Sequence, residues 1–504
     1  MRKFYIVIAL IVGFLGMPNV MAAGQQKAPV SVQAPKKSVA PTTPKAKVSP
    51  AVNSVVSVPK KLVPVNTVQP APIAKKVLNT DQSLKMQVAT EVQSTSKINL
   101  QQAIDLALKN NLDIVNRRLD IDKAKNDIKT AGRLQNPTVQ LWGNRGSAAM
   151  DNPDEYAIVQ PIEIGKRSAR KNLAKSNLEL TKGNVALSEF ELKMDVRDAY
   201  VALVAAKSSY RILETQKDLL QDLVTIAQKK YEAGASPEMD VIQAKMALGQ
   251  IMTQINISRN NVEVARYDFN KTLNLRDSSI FYDTEEDFLP TQNDFVFMYT
   301  PQPQSKLPDF MNVSDLALGK RLDIKNAKQE VDVAQKNLIV TLRQRIPDLE
   351  VGFGGIFVPD TLTTKVGSTS GTMALLNITN IPLLYQYQPE IKNAKIQVEQ
   401  NQLKYASIKS KAMQDLHSSY DKFLTAQTNL NFYNDALLTE SNKFLGMAHK
   451  SYMIGKTNIT DYIFIEQSYK NIIIGYTNAL SDYYSSWVDF LREVNDEDIK
   501  LNER

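Results

Sequence analysis

The 504-residue chain has no cysteine. That excludes disulfides, thiolate metal sites, cysteine nucleophiles and a lipid anchor on a processed N-terminal cysteine. There are two histidines, His417 and His449, too far apart on one predicted helix for an i, i+4 metal pair. Met413, Met447 and Met453 lie near them, and packing explains these methionines better than a copper path does. Gly455-Lys456-Thr457 ends like a phosphate loop, but Lys450 stands where the first glycine belongs. Gly352, Gly354 and Gly355 lack the spacing of a dinucleotide fingerprint. No nucleophile–base pair stands out. The residues predict no enzyme, no cofactor and no metal site.

Long apolar runs are scarce too. Ile6–Phe14 follows Arg2 and Lys3 and precedes the small residues around Ala22, which reads as a signal peptide over 1–22. No later stretch holds about 18 consecutive apolar residues, so no helical membrane span is expected. From Gln25 to Thr80 there is no acid and no arginine, but there are nine lysines, with prolines recurring from Pro29 to Pro72. Residues 23–96 read as an extended, disordered tether. It is either a solvated linker or a basic arm touching acidic lipid or cell-wall polymer. Take these nine lysines, Arg2 and Lys3 from the net charge of +8, and the rest of the chain carries −3. A nucleic-acid role for the body has no electrostatic support.

What the chain does have is a repeat. Tyr231, Gly234 and Asp240 recur as Tyr452, Gly455 and Asp461, an offset of 221. Leu112-Asp113-Ile114 recurs as Leu322-Asp323-Ile324 and Pro137 as Pro347, an offset of 210, whereas Pro161 recurs as Pro382 at 221. One unit was doubled, and 11 residues entered the second copy between its two prolines. An exposed loop is the expected place for them.

Each copy predicts helix, two strands, a long helix and a further helix. The first spans 97–275, with helices over 98–131, 163–231 and 239–273 and strands over 137–145 and 154–161. The second spans 312–496, with helices over 312–344, 388–452 and 459–494 and strands over 347–358 and 371–382. Residues 276–311 between them read as irregular, and 497–504 as a tail. No proline occurs over 162–236 or after 389. Val185, Leu192, Ala199, Ala206, Leu213, Leu220 and Ala227 form a seven-residue series, which is coiled-coil packing. The two shorter helices of each copy, laid in series, match its long one at roughly 100 Å. The strand runs have the length of tilted transmembrane strands, with Trp142, Tyr156, Phe353 and Phe357 as interfacial aromatics. Two ordinary hairpins capping a bundle is the competing reading. Four strands cannot close a barrel in lipid, so strands that span a membrane require oligomerisation.

The chain resembles the TolC-like outer-membrane efflux protein family over about 97–496. Leu100–Ile114 is similar to the family's opening helix, Gln135-Asn136-Pro137 to its entry into the first strand, and the duplicated Tyr-x-x-Gly…Asp to its periplasmic turns. The resemblance implies a mostly helical homotrimer with a 12-stranded barrel in the outer membrane and a helical tunnel across the periplasm. It implies a periplasmic adaptor and an inner-membrane transporter as partners, in efflux or type I secretion, with outer-membrane lipid around the barrel. The alternative is a periplasmic coiled-coil scaffold with no barrel. Such an adaptor normally has one helical hairpin flanked by β-rich domains, and this chain has two hairpins interleaved with strands.

The candidate sites lie at the two turns. Gly234, Ala235 and Ser236, and Gly455, Lys456 and Thr457, end one helix and start the next. The resemblance makes them adaptor contacts and places Asp461, Asp240 and Tyr452 at a closed aperture. Three copies of Asp461 around an axis would form an acidic ring that selects cations. An acid in the first turn of a helix is also what the macrodipole favours. The chain departs from the TolC-like gate at Phe464, where a second acid would stand, and at Thr457, where an arginine would stand.

Overall fold

The computed structural model describes residues 94–142, 154–276, 279–287, 309–358, 369–433 and 437–496. The expected signal peptide, the tether up to residue 93 and the tail 497–504 lie outside them. The described residues fall in one compact unit. It opens with β1 (Ser94–Ile98), α1 (Leu100–Asn110), α2 (Leu112–Ala131), β2 (Thr138–Trp142) and β3 (Asp154–Ile162). α3 (Lys166–Glu232) and α4 (Glu238–Leu273) form a long hairpin, followed by β4 (Ile280–Thr284). The second half runs α5 (Phe310–Lys320), α6 (Leu322–Arg343), β5 (Asp348–Val358), β6 (Thr369–Thr379), α7 (Gln388–Phe432), α8 (Leu438–Met453) and α9 (Ile459–Val494).

The seven-residue series on α3 packs as its spacing requires. Val185, Leu213, Leu220 and Ala227 are buried. With 67 residues, α3 is about 100 Å long. α2 and α4 lie in series along it. Among the described residues no helix is long and apolar enough to cross a membrane. Of the helix expected over 388–452 the structure describes α7 and α8, on either side of 434–436, and the flanking Tyr433 and Leu437 keep helical dihedral angles.

The helix expected over 98–131 breaks at Asn111, whose φ and ψ of −59° and 125° are not helical. Its buried side chain does two jobs. Oδ1 accepts from the N–H groups of Asp113 (2.9 Å) and Ile114 (3.2 Å), which starts α2. Nδ2 donates to the carbonyls of Leu273 (3.0 Å) and Thr272 (3.2 Å), which closes α4. Asn274 then turns left-handed, with φ 45°. The same joint recurs in the second copy with different chemistry. Arg321, at an offset of 210 from Asn111, separates α5 from α6 and pairs with Asp323 (2.7 Å) and Glu493. Asn495, at an offset of 221 from Asn274, is left-handed with φ 57° and accepts from the Leu322 N–H at 3.0 Å. Asn111→Ala leaves two helix-end carbonyls and two helix-start N–H groups without their partner. We expect it to cost about 2–3 kcal/mol, read by chemical denaturation of the purified protein.

The segment over 276–311, expected to be irregular, contains β4, and β1 begins three residues inside the expected tether. The two strands pair in parallel from Ser94↔Ile280 to Ile98↔Thr284. α3 clamps them. Buried Lys207 reaches Asp287 (2.8 Å), Asp283 (3.3 Å) and the carbonyls of Thr284 and Glu286 (both 3.1 Å). The Tyr200 hydroxyl donates to the Ile98 carbonyl at 3.1 Å. Beside this waist lies the larger core, where Phe423, Tyr483, Trp487 and Phe490 stack ring on ring.

The other four strands form one antiparallel sheet in the order β2-β3-β5-β6. Its register sets Val139 against Ile158, Ile158 against Phe353, and Val351 against Leu376. Leu141, Tyr156, Ile162, Leu349 and Ile378 fall on the same face by alternation. This face is largely apolar and exposed, with Gln160 and Thr372 also on it, and the other mixes Gln140, Glu350 and Asn377 with Trp142, Val159 and Leu375. Gly354 lets the backbones close up, since a Cβ there would sit 1.9 Å from the Tyr156 carbonyl oxygen. The extra residues of the second copy do not all enter the loop. β5 and β6 have 11 residues each against 5 and 9 in β2 and β3, so among the described residues they lengthen the strands.

Candidate functional site: the tips of the two hairpins

Both hairpin turns are built alike. At the first, the Ala235 N–H donates to the Lys230 carbonyl (2.8 Å) and the Gly234 N–H to that of Tyr231 (2.9 Å). At the second, Lys456 donates to Ser451 (2.9 Å) and Gly455 to Tyr452 (3.1 Å). This pair of bonds needs a left-handed residue, and Gly234 (φ 66°) and Gly455 (φ 76°) supply it. The helices that follow start differently. Asn458 caps α9 through the Asp461 N–H at 2.7 Å, whereas α4 starts at Pro237 with no side-chain cap, and the Ser236 hydroxyl has no hydrogen-bond partner.

The two copies of the tyrosine diverge. Tyr231 is 42% exposed and Tyr452 3%. Tyr452 stacks on Tyr462 with centroids 5.6 Å apart. Lys230, in the last turn of α3, lies 4.0 Å above the Tyr452 ring and donates to the Tyr452 carbonyl. A cation at the open C-terminal end of α8 suits the helix dipole as well as the ring. Lys230 therefore ties the first hairpin to the second at their ends. Above it, the Thr460 hydroxyl donates to Gln243 Oε1 (3.0 Å), and Lys470 donates to Gln254 Oε1 (3.2 Å).

Among the three aperture candidates, the charge of Asp240 bears on Tyr452, whose hydroxyl has no hydrogen-bond partner. Burial first, and then the charge of Asp240, push the Tyr452 phenol up. Asp461 is exposed on the first turn of α9. Lys456 is exposed and Thr457 half-buried, so neither closes an ion-pair lock across the tips. Phe464 is exposed on the same helix.

One group here was not read as a site from the sequence. Glu466 of α9 is 1% exposed, and its Oε1 has no hydrogen-bond partner. Burial pushes its carboxyl up to about 7, against the pull of Lys470. The Tyr462 phenol is pushed up to about 12 by burial and then by Glu466. Ile459, Tyr462 and Glu466 follow three- and four-residue steps on one buried face, and that spacing is the signal that could have found it. His449 packs 5.9 Å from Tyr462, and the exposed His417 pairs with Asp421 at 3.0 Å. Among the described residues no cluster of acids and histidines could hold a metal ion.

Paired helical hairpins in series with a short four-stranded sheet are a fold that solved structures share. Against the Campylobacter jejuni CmeC outer membrane channel the TM-score is 0.60 at 17% identity, covering 79% of this chain and 85% of that one. Against CusC, whose structures concern folding and transmembrane channel formation, it is 0.63 at 15% identity, covering 79% and 92%. The cobalt-zinc-cadmium resistance protein CzcC of Cupriavidus metallidurans is 18% identical over 413 residues, 81% of this chain and 93% of its own length. The family model of the outer membrane efflux proteins matches twice, over 103–274 and 313–484. The chain belongs to the outer membrane efflux protein family, whose members are channels and not enzymes.

Proposed function

We propose that three copies of this chain form an outer-membrane exit duct, passive in itself and fed by an inner-membrane pump through a periplasmic adaptor. The sheet carries this reading. β2 and β6 are its two edges, each paired on one side only, and one face is largely apolar, with Gln160 near the helical end. Lipid tolerates no open edge, so β2 of one copy pairs with β6 of the next until the ring closes. Three copies give twelve strands. The hairpins then form a tunnel about 100 Å long below it. Fractionating expressing cells and sizing the unboiled membrane extract tests this. A trimer in the outer-membrane fraction is expected, and a monomer released with the periplasm would sink the reading.

The tips are the gate in this proposal. Lys230 holds the second hairpin against the first, and Gly234, Ala235, Ser236, Gly455, Lys456 and Thr457 offer the exposed turns to the adaptor. Removing the cation in Lys230→Gln deletes a cation–π contact and a charged hydrogen bond. We expect the open fraction to rise about 5- to 30-fold, for a loss of about 1–2 kcal/mol, as read by conductance in planar bilayers. Asp461→Asn should leave that conductance in place and lower its preference for cations over anions, measured as a shift in reversal potential under a salt gradient.

A further inference from the structure

The rim where strands meet helices carries a charge imbalance that a duct does not need. Three acids nearest the strands are taken up locally, while Asp127 of α2 lines the same cleft as Arg133. Glu163 accepts both guanidinium arms of Arg170, Asp348 pairs with Lys166 at 2.7 Å, and Glu390 accepts the Tyr385 hydroxyl. The cations are not. Arg133, Lys171, Arg343 and Arg345 are exposed, and among the described residues none has an ion-pair partner. They come from the turn after α2, the first turns of α3 and the end of α6, yet share one level. α2 ends just before β2, α3 begins just after β3, and α6 ends just before β5. Arg343 is held across the left-handed turn at Gly165, its Nη1 3.0 Å from where a Cβ would stand.

Apolar side chains are exposed at the same level. Leu134 precedes β2, Ile164 follows β3, and Leu383, Leu384 and Tyr385 follow β6, with Leu384 fully exposed. They stand just past the strand ends. Unpaired cations beside exposed leucines and a tyrosine, at the edge of an apolar band, have the chemistry of a membrane interface.

We propose that this rim binds the anionic phosphate headgroups of the phospholipid leaflet around the helical end of the barrel, with Arg133, Lys171, Arg343 and Arg345 as the contacts. The inference rests on the barrel reading above. A juxtamembrane cation gains about 1 kcal/mol at an anionic surface, which is about a fivefold preference for each contact made.

The full chain is reconstituted in vesicles of phosphatidylcholine mixed equally with phosphatidylglycerol, extracted gently, and its retained lipids counted by native mass spectrometry. Wild type should retain at least ten phosphatidylglycerols for each phosphatidylcholine. The variant carrying Arg133→Gln, Lys171→Gln, Arg343→Gln and Arg345→Gln should lose that preference, and the variant with lysine at the three arginine positions should keep it. The lysine-rich N-terminal segment is present in all three proteins and drops out of the comparison. Equal retention of both lipids by wild type, or an unchanged preference in the glutamine variant, overturns the proposal. So does a glutamine variant that inserts but no longer trimerises, since the rim would then be a contact between copies. Failure of wild type to insert, scored as extraction by carbonate, defeats the barrel reading itself.

Discussion

Phe353→Arg combined with Leu376→Arg is expected to abolish membrane assembly. Both side chains stand on the apolar face of the sheet, Phe353 beside Ile158 and Leu376 beside Val351. An arginine at mid-depth on a lipid-facing strand costs about 2–4 kcal/mol, so the pair costs about 4–8, which is most of the stability of an ordinary domain. Pulse proteolysis of vesicle-reconstituted protein should show no protected sheet. Gln140→Arg supplies the comparison. It places the same charge on β2 but on the opposite face, and it should still insert. If all three substitutions behave alike, the assignment of faces is wrong.

Glu466→Gln is expected to stabilise the protein at pH 8 by about 3 kcal/mol and to change nothing near pH 4. The carboxyl is raised from 4.5 to about 7 in the folded chain, chiefly by burial. Below about pH 4.5 the folded and unfolded chains both hold the proton, and there is no penalty. Between there and about 7 the unfolded chain ionises while the folded one resists, so stability falls as pH rises. Above about 7 the cost is complete, at about 1.4 kcal/mol for each tenfold difference in proton affinity between the folded and unfolded chains. An amide at the position carries no charge at any pH and should remove this part of the slope. Asp198, raised by burial to about 6, bends the curve in the same direction. The difference between wild type and variant is therefore the quantity to measure, by denaturant unfolding across pH. A variant whose curve runs parallel to wild type would mean that Glu466 keeps its ordinary carboxylate range.

The long helices and the tip turns were legible because their signals are local. A missing proline, a seven-residue period and a glycine six residues before an aspartate can all be counted along one stretch of chain. The fold-defining repeat was legible for the same reason. The breaks at Asn111 and Arg321 were not, since the apolar period runs through both and their cause is the end of a distant helix. β1 and β4 were missed because each has five residues and finds its partner across the whole first repeat. Residues 276–311 look irregular from composition, yet Lys207 holds part of them in a fixed strand. Lys230 was unreadable as a tie. A lysine near a helix end is ordinarily solvated, and its partner, Tyr452, lies 222 residues further along. The sequence offered Asp461, Asp240 and Tyr452 alike as aperture residues, whereas the structure buries Tyr452 and leaves Asp461 exposed. That difference follows from packing between hairpins, which no single-strand pattern encodes.

The unlike tyrosines at the tips reach beyond the single chain. A duplicated unit suggests interchangeable ends, but one end shows its phenol to water and the other has folded it away beneath a lysine. In the trimer proposed above, three such chains would present six tips of two kinds in alternation. A collar of identical partner subunits, one to each tip, would find neighbouring footholds unequal. It would have to work as three pairs, with each subunit of a pair bound to a different surface.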